Sequence, residues 1–96
     1  MAAFPSLVAL DDALSLSFEV CETIAHALGV DRREVQMDAD LFDDLGADTS
    51  TAALVILALE EAFDVDLEVE IDGDRVRLVS DVVRVVAAAV LGRRAP

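Results

Sequence analysis

Three successive hydroxyl side chains, Thr49, Ser50 and Thr51, follow Asp48 and stand directly before the apolar run Ala52 to Leu59. Short oxygen-bearing side chains of these types accept hydrogen bonds from the unpaired N–H groups of a first helical turn, so the cluster predicts a helix start between Asp48 and Ser50. Groups able to do chemistry are sparse elsewhere. His26 and Cys21 are the single His and the single Cys. Both lie inside a helical pattern, where a lone His is structural and a lone thiol is a small buried hydrophobe. There is no Ser/His/Asp grouping that can be argued into contact, no Cys/His metal spacing and no Gly-rich phosphate loop, so the chain does not read as an enzyme. Asp38, Asp40, Asp43, Asp44 and Asp48 invite a calcium reading. It fails on spacing, because Phe42 stands where an oxygen ligand is needed and Asp43 where a Gly is required. A solvated acidic loop whose Asp48 caps a helix remains, with no metal.

The elements that must hold this cluster follow from periodicity. The helix it opens reads AALVILAL from Ala52 to Leu59, and charge returns only at Glu60 and Glu61 before Phe63. A surface helix would show a polar stripe. This one is expected to be buried nearly all round, unless one face is left for a partner. Upstream, Leu14 to Val20 alternates with period two, while Leu14, Phe18, Cys21, Ala25 and Leu28 share a helical face. Length, and Gly29 standing as a stop just past Leu28, decide for a helix from Leu14 or Ser17 to Leu28, with Ser17 as its cap. Residues 1–13 form a leader for which a short capped helix and a loosely docked tail both stand open. From Val30 to Ala47 runs a long connection anchored by Val35, Leu41, Phe42 and Leu45. Leu67 to Leu78, LEVEIDGDRVRL, carries Asp72-Gly73, a hairpin signal. It would set Leu67 against Leu78, Val69 against Val76, and Glu68 and Glu70 against Arg77 and Arg75. A last helix, capped by Ser80 and turning Val83, Val86 and Val90 inward, ends before Gly92. The expectation is one mainly α domain over 14–92 with a β-hairpin at about Leu67–Leu78, and a frayed tail over 93–96.

Composition bounds the partners. The chain has 96 residues, 55% of them hydrophobic, and a net charge of −13; mean hydropathy is +0.51. That charge argues against nucleic acid and against anionic membranes, both of which need cationic neutralisation. No apolar run approaches a membrane span, and MAAFPSLVALDD lacks the basic lead of a secretory signal. A cytoplasmic protein with protein partners is the expectation.

The segment IAHALGVDRREVQMDADLFDDLGAD, with LALEEAF after it and VSDVV opening the last helix, resembles the acyl carrier protein family. The resemblance is close over Ile24–Phe63 and looser over Val79–Leu91. It implies a small helical bundle without catalytic residues, whose long helix is the docking surface for enzymes of fatty-acid or polyketide synthesis. It also implies a phosphopantetheine arm on the Ser of an Asp-Ser-Leu motif. Here the motif is Asp48-Thr49-Ser50. In ungapped register Thr49 takes the Ser position, with a stiffer and more crowded hydroxyl. Ser50 offers the right hydroxyl about 100° further around the helix. The resemblance further implies an acidic residue about one turn after the Ser, where Leu54 stands.

Two readings follow. The joint change at Thr49, Ser50 and Leu54 ranks first a non-carrier interaction module that has lost the prosthetic serine and bears no cofactor. It would bind a partner with an apolar and basic docking surface, or a second copy, through Ala53, Leu54, Leu57, Glu60 and Glu61. The alternative is a genuine carrier with 4′-phosphopantetheine on Ser50, or on Thr49, beside Asp48.

Overall fold

From Ser6 to Leu28 the chain has neither Gly nor Pro, and nothing in that stretch interrupts a helix. In the computed structural model, which describes residues 4–67, 71 and 75–94 and side chains only within 14–92 of these, α1 accordingly runs without a break over Phe4–Leu28. Pro5 falls in its first turn, where a missing N–H costs nothing. Ser17 therefore lies inside the helix and is not its cap. The stop at Gly29 is as expected: its φ of +69° is left-handed. The Val30 N–H donates to the Ala25 carbonyl at 3.0 Å and the Gly29 N–H to His26 at 3.3 Å, the pairing of a Schellman end.

The buried face of α1 is Val20, Cys21, Ile24 and Ala25. Leu14 and Phe18, expected on that face, are 62% and 57% exposed. The cause is direction around the axis. Leu16, nearer the N-terminus than Phe18, still packs on the core that α1 shares with α2 (Thr49–Phe63) and α3 (Val79–Arg94). Phe18 is turned away from it and lies against the Arg32 guanidinium, 5.3 Å from its ring centroid.

Between α1 and α2 the connection makes a single 3-10 turn at Arg32–Glu34, capped by Asp31. It then sends Val35, Ala39, Leu41 and Leu45 into the core. These meet Ala52, Val55 and Leu59 of α2, Val79, Val82 and Val86 of α3, and Leu67, Ile71 and Val76 between those helices. Burying one such side chain contributes about 1.5–3 kcal/mol, against about 0–1 for a surface ion pair, so this apolar set decides the fold. In α3 the inward stripe is Val79, Val82 and Val86, with Val83 and Val90 only half-buried.

The hairpin needs correction. Among the described residues of 67–78 none is in a strand, and Leu78 bridges antiparallel to Asp40, not to Leu67. The Asp72-Gly73 turn and the partners Glu68, Val69, Glu70 and Asp74 lie outside the described residues. The alternation does place Leu67, Ile71 and Val76 inward. The backbone of 77–80 is instead satisfied by the acidic connection: Leu41 N–H donates to Arg77 O at 2.9 Å, Val79 N–H to Ala39 O at 3.0 Å, and Ser80 N–H to Met37 O at 2.9 Å. Capping differs as well. The first residue of α3 is Val79, and Asp81 in its first turn accepts from the Leu78 and Arg77 N–H groups at 3.0 and 3.1 Å.

Candidate functional site

The start of α2 is built by a reciprocal cap. Asp48, with extended φ and ψ, accepts the Thr51 N–H on Oδ1 at 2.9 Å, and the Thr51 hydroxyl accepts the Asp48 N–H at 2.8 Å. The same hydroxyl donates to Asp48 Oδ1 at 3.0 Å, and the Thr51 N–H first, with this hydroxyl second, holds the Asp48 carboxyl below the usual carboxylate range. Thr51 is thus committed to the cap. Thr49 and Ser50, the first and second helical residues, are both exposed. The helix starts where the sequence cluster put it, directly after Asp48.

Around the axis of α2 the two hydroxyls differ. Ala52, Val55 and Leu59 are buried, so the opposite side faces out. Ser50, Leu54, Leu57 and Glu61 are spaced four, three and four apart, and such residues share one side of a helix. All of them are exposed, Leu54 by 52% and Leu57 by 60%. Ala53 flanks the stripe and is exposed. Thr49 sits about 100° away from Ser50. The helix is therefore not buried all round; its outward face is the apolar one.

Glu60 divides its role. It is half-buried, and its Oε2 accepts the Leu67 N–H at 2.9 Å, which ties down the chain leaving α2. Glu61 remains outward, on the rim of an open groove lined by Leu57, Glu60, Glu61, Asp64, Val65 and Asp66. The groove mouth is strongly acidic.

The acidic connection is ordered by its own carboxylates. Asp40 Oδ1 accepts the Phe42 and Asp43 N–H groups, each at 2.9 Å, while Asp44 Oδ2 accepts the Asp40 N–H at 2.8 Å. Arg77 donates Nε to Asp40 Oδ2 and Nη2 to Asp43 Oδ2, the latter at 2.9 Å, with its guanidinium 5.7 Å from the Phe42 ring centroid. The Asp43 N–H foremost, then Arg77 and the Phe42 N–H, lower the Asp40 pKa. Arg77 was expected opposite Glu68, and its role here was missed. The signal lay in the charge pattern, since no basic residue occurs between Arg33 and Arg75 while five Asp crowd positions 38–48.

No group of three or more potential metal ligands occurs among the described residues. His26 is exposed in the last turn of α1, and Cys21 is buried, which pushes its thiol pKa up. What the site presents is an outward hydroxyl at the positive end of a helix, with an apolar stripe leading away from it.

A family described as phosphopantetheine attachment site matches residues 19–72. The acyl carrier protein of Syntrophobacter fumaroxidans is 38% identical over 71 residues, 74% of this chain and 86% of that protein. That of Clostridium acetobutylicum is 40% identical over 70 residues, 73% of this chain and 90% of the relative. That of Solidesulfovibrio magneticus is 40% identical over 70 residues, 73% and 88% of the two chains. Two expectations give way to these matches. The chain without a prosthetic group is overturned, because the matching family is the attachment site itself. The non-carrier module yields to the carrier reading ranked second. It rested on the joint change at Thr49, Ser50 and Leu54, yet an exposed hydroxyl still occupies both Thr49 and Ser50.

Proposed function

The chain belongs to the acyl carrier protein family, and we propose that it is a working carrier, with 4′-phosphopantetheine esterified to the Ser50 hydroxyl. When bound, that group supplies a flexible arm ending in a thiol, on which acyl chains ride as thioesters. The observation that carries the reading is the position of Ser50: an exposed primary alcohol in the first turn of α2, in line with the outward stripe of Leu54, Leu57 and Glu61. The positive end of α2 suits a phosphodiester there. Asp48 keeps that end formed by capping it. Ala53, Leu54 and Leu57 offer apolar contact and Glu61 an acidic rim, which fits an enzyme of fatty-acid or polyketide-type synthesis with an apolar patch ringed by basic groups. This exchange takes place in the cytoplasm.

A second assignment, to Thr49, is favoured by one observation: α2 begins immediately after Asp48, so Thr49 occupies the place the family gives its Ser. Incubation with coenzyme A and a broad-specificity phosphopantetheinyl transferase, followed by intact mass, separates the two. A gain of one phosphopantetheinyl group that Ser50→Ala abolishes and Thr49→Val retains is the expected result. The reverse pattern moves the arm to Thr49. An unmodified chain, both in this assay and when isolated from its native host, would sink the carrier reading.

A further inference from the structure

We propose that Arg77 is a positioning residue for the arm-bearing turn: by bridging Asp40 and Asp43 it locks the approach to Asp48 against the start of α3, and so fixes where the Ser50 hydroxyl is presented for loading. The proposal rests on the attachment site proposed above. Its geometric basis is an unbroken series of bonds. At one end Arg77 is anchored to α3 and the connection through its backbone, its N–H on Asp81 Oδ2 at 3.1 Å and its carbonyl accepting the Leu41 N–H at 2.9 Å. At the other end its guanidinium holds Asp40 and Asp43 together over the Phe42 ring. From Asp40 the turn closes on itself, Asp44 and Leu45 N–H donating to the Asp40 carbonyl at 3.0 Å each. It then passes to the site: the Ala47 N–H donates to Leu41 O at 2.8 Å, and Asp48 follows as the cap of α2.

Charge gives the bridge its force. Asp40, Asp43, Asp44 and Asp48 lie within nine residues of chain and repel one another. Among the described residues the other ion-paired cations are engaged elsewhere, Arg32 with Glu22, Arg33 with Asp31 and Arg84 with Asp81. Arg suits the place because its planar fork spans two carboxylates while its face rests on an aromatic ring, which the point charge of a Lys cannot reproduce. With the bridge gone, the 40–47 turn loosens and the first turn of α2 is presented in a spread of orientations. A transferase that must meet Ser50 in one geometry then loads it more slowly.

Amide hydrogen exchange read by NMR, together with transferase loading kinetics from intact mass, tests this on the full chain and on Arg77→Gln and Asp43→Asn. Asp43 is well exposed, so its variant keeps the fold even where Arg77→Gln does not. Expected are Ala47 and Thr51 amides that exchange about fivefold faster, unchanged exchange at Ile24 and Ala25 in α1, and a fall in loading kcat/KM of similar size. Unchanged exchange at Ala47 and Thr51 in both variants overturns the proposal. So does uniformly faster exchange that includes α1, which would make Arg77 a general stabiliser. Loading at the wild-type rate despite faster exchange also overturns it. A wild-type chain that accepts no arm refutes the attachment site, while the exchange data still judge the bridge.

Discussion

Asp48 links folding to function at the scale of a single residue, because the carboxylate that starts α2 also sets the register in which Thr49 and Ser50 are displayed. Asp48→Ala removes the acceptor of the Thr51 N–H. It is expected to lower Tm and to fray the first turn, seen as faster Thr51 amide exchange, whereas Asp48→Asn keeps an acceptor and recovers most of the loss. Acid should act in the same way. Asp40, Asp48 and Asp81 have folded pKa values below the ordinary 3.8. A depressed folded value means their contribution is complete above that pH and lost as the pH falls through the folded values. Thermal melts should therefore be insensitive to these groups between about pH 5 and 7 and drop steeply below about pH 4.

At the scale of the element, α2 separates two roles that its composition makes look alike. Leu59 is fully buried and Leu54 is half exposed, though both belong to one apolar run. Leu59→Ala should cost about 2–5 kcal/mol in urea unfolding, by lost transfer energy and the cavity left behind. Leu54→Glu should change stability by less than about 0.5 kcal/mol and yet raise the KM of a partner enzyme for the loaded carrier. A Leu54→Glu variant as unstable as Leu59→Ala would show that this face is core and refute its role in docking.

For the whole molecule, the relevant fact is a net charge of −13 carried without a single buried polar or charged side chain among the described residues. None of the described acids is buried, so they repel one another and are screened by salt. Raising sodium chloride should therefore raise Tm, while the same salt should weaken association with a basic partner surface. Melting curves and binding titrations along one salt series check these opposite signs. No helix among the described residues is long and apolar enough to cross a membrane.

Much of this was legible in the residues. Local stereochemistry fixes the left-handed stop at Gly29, the Asp48 cap and the helical periods, because each depends on neighbours within a turn or two. The family likeness of the 24–63 segment was legible for the same reason, being carried by contiguous motifs. Three things were not. The direction of the exposed stripe on α2 could not be read from AALVILAL, in which every position is apolar; only packing against Val20, Ile24 and Leu41 selects Ala52, Val55 and Leu59 as the inner side. Leu14 and Phe18 fit the helical face of Cys21, but packing selects the neighbouring face of Leu16, Val20, Cys21, Ile24 and Ala25 and leaves them outside. Leu67 to Leu78 alternates as a strand should, yet Leu78 takes Asp40 as its bridge partner and Arg77 turns to the acidic loop. A ladder partner and an ion-pair partner are chosen among segments far apart in sequence, by which of them the core brings within reach. The sequence by itself thus determined that the helices exist, the stop at Gly29, the start at Asp48 and the family, but not the start of α1 at Phe4 or the run of α3 from Val79 past Gly92 to Arg94; only the tertiary structure decided which side of α2 faces out and which cation holds the loop leading to Ser50.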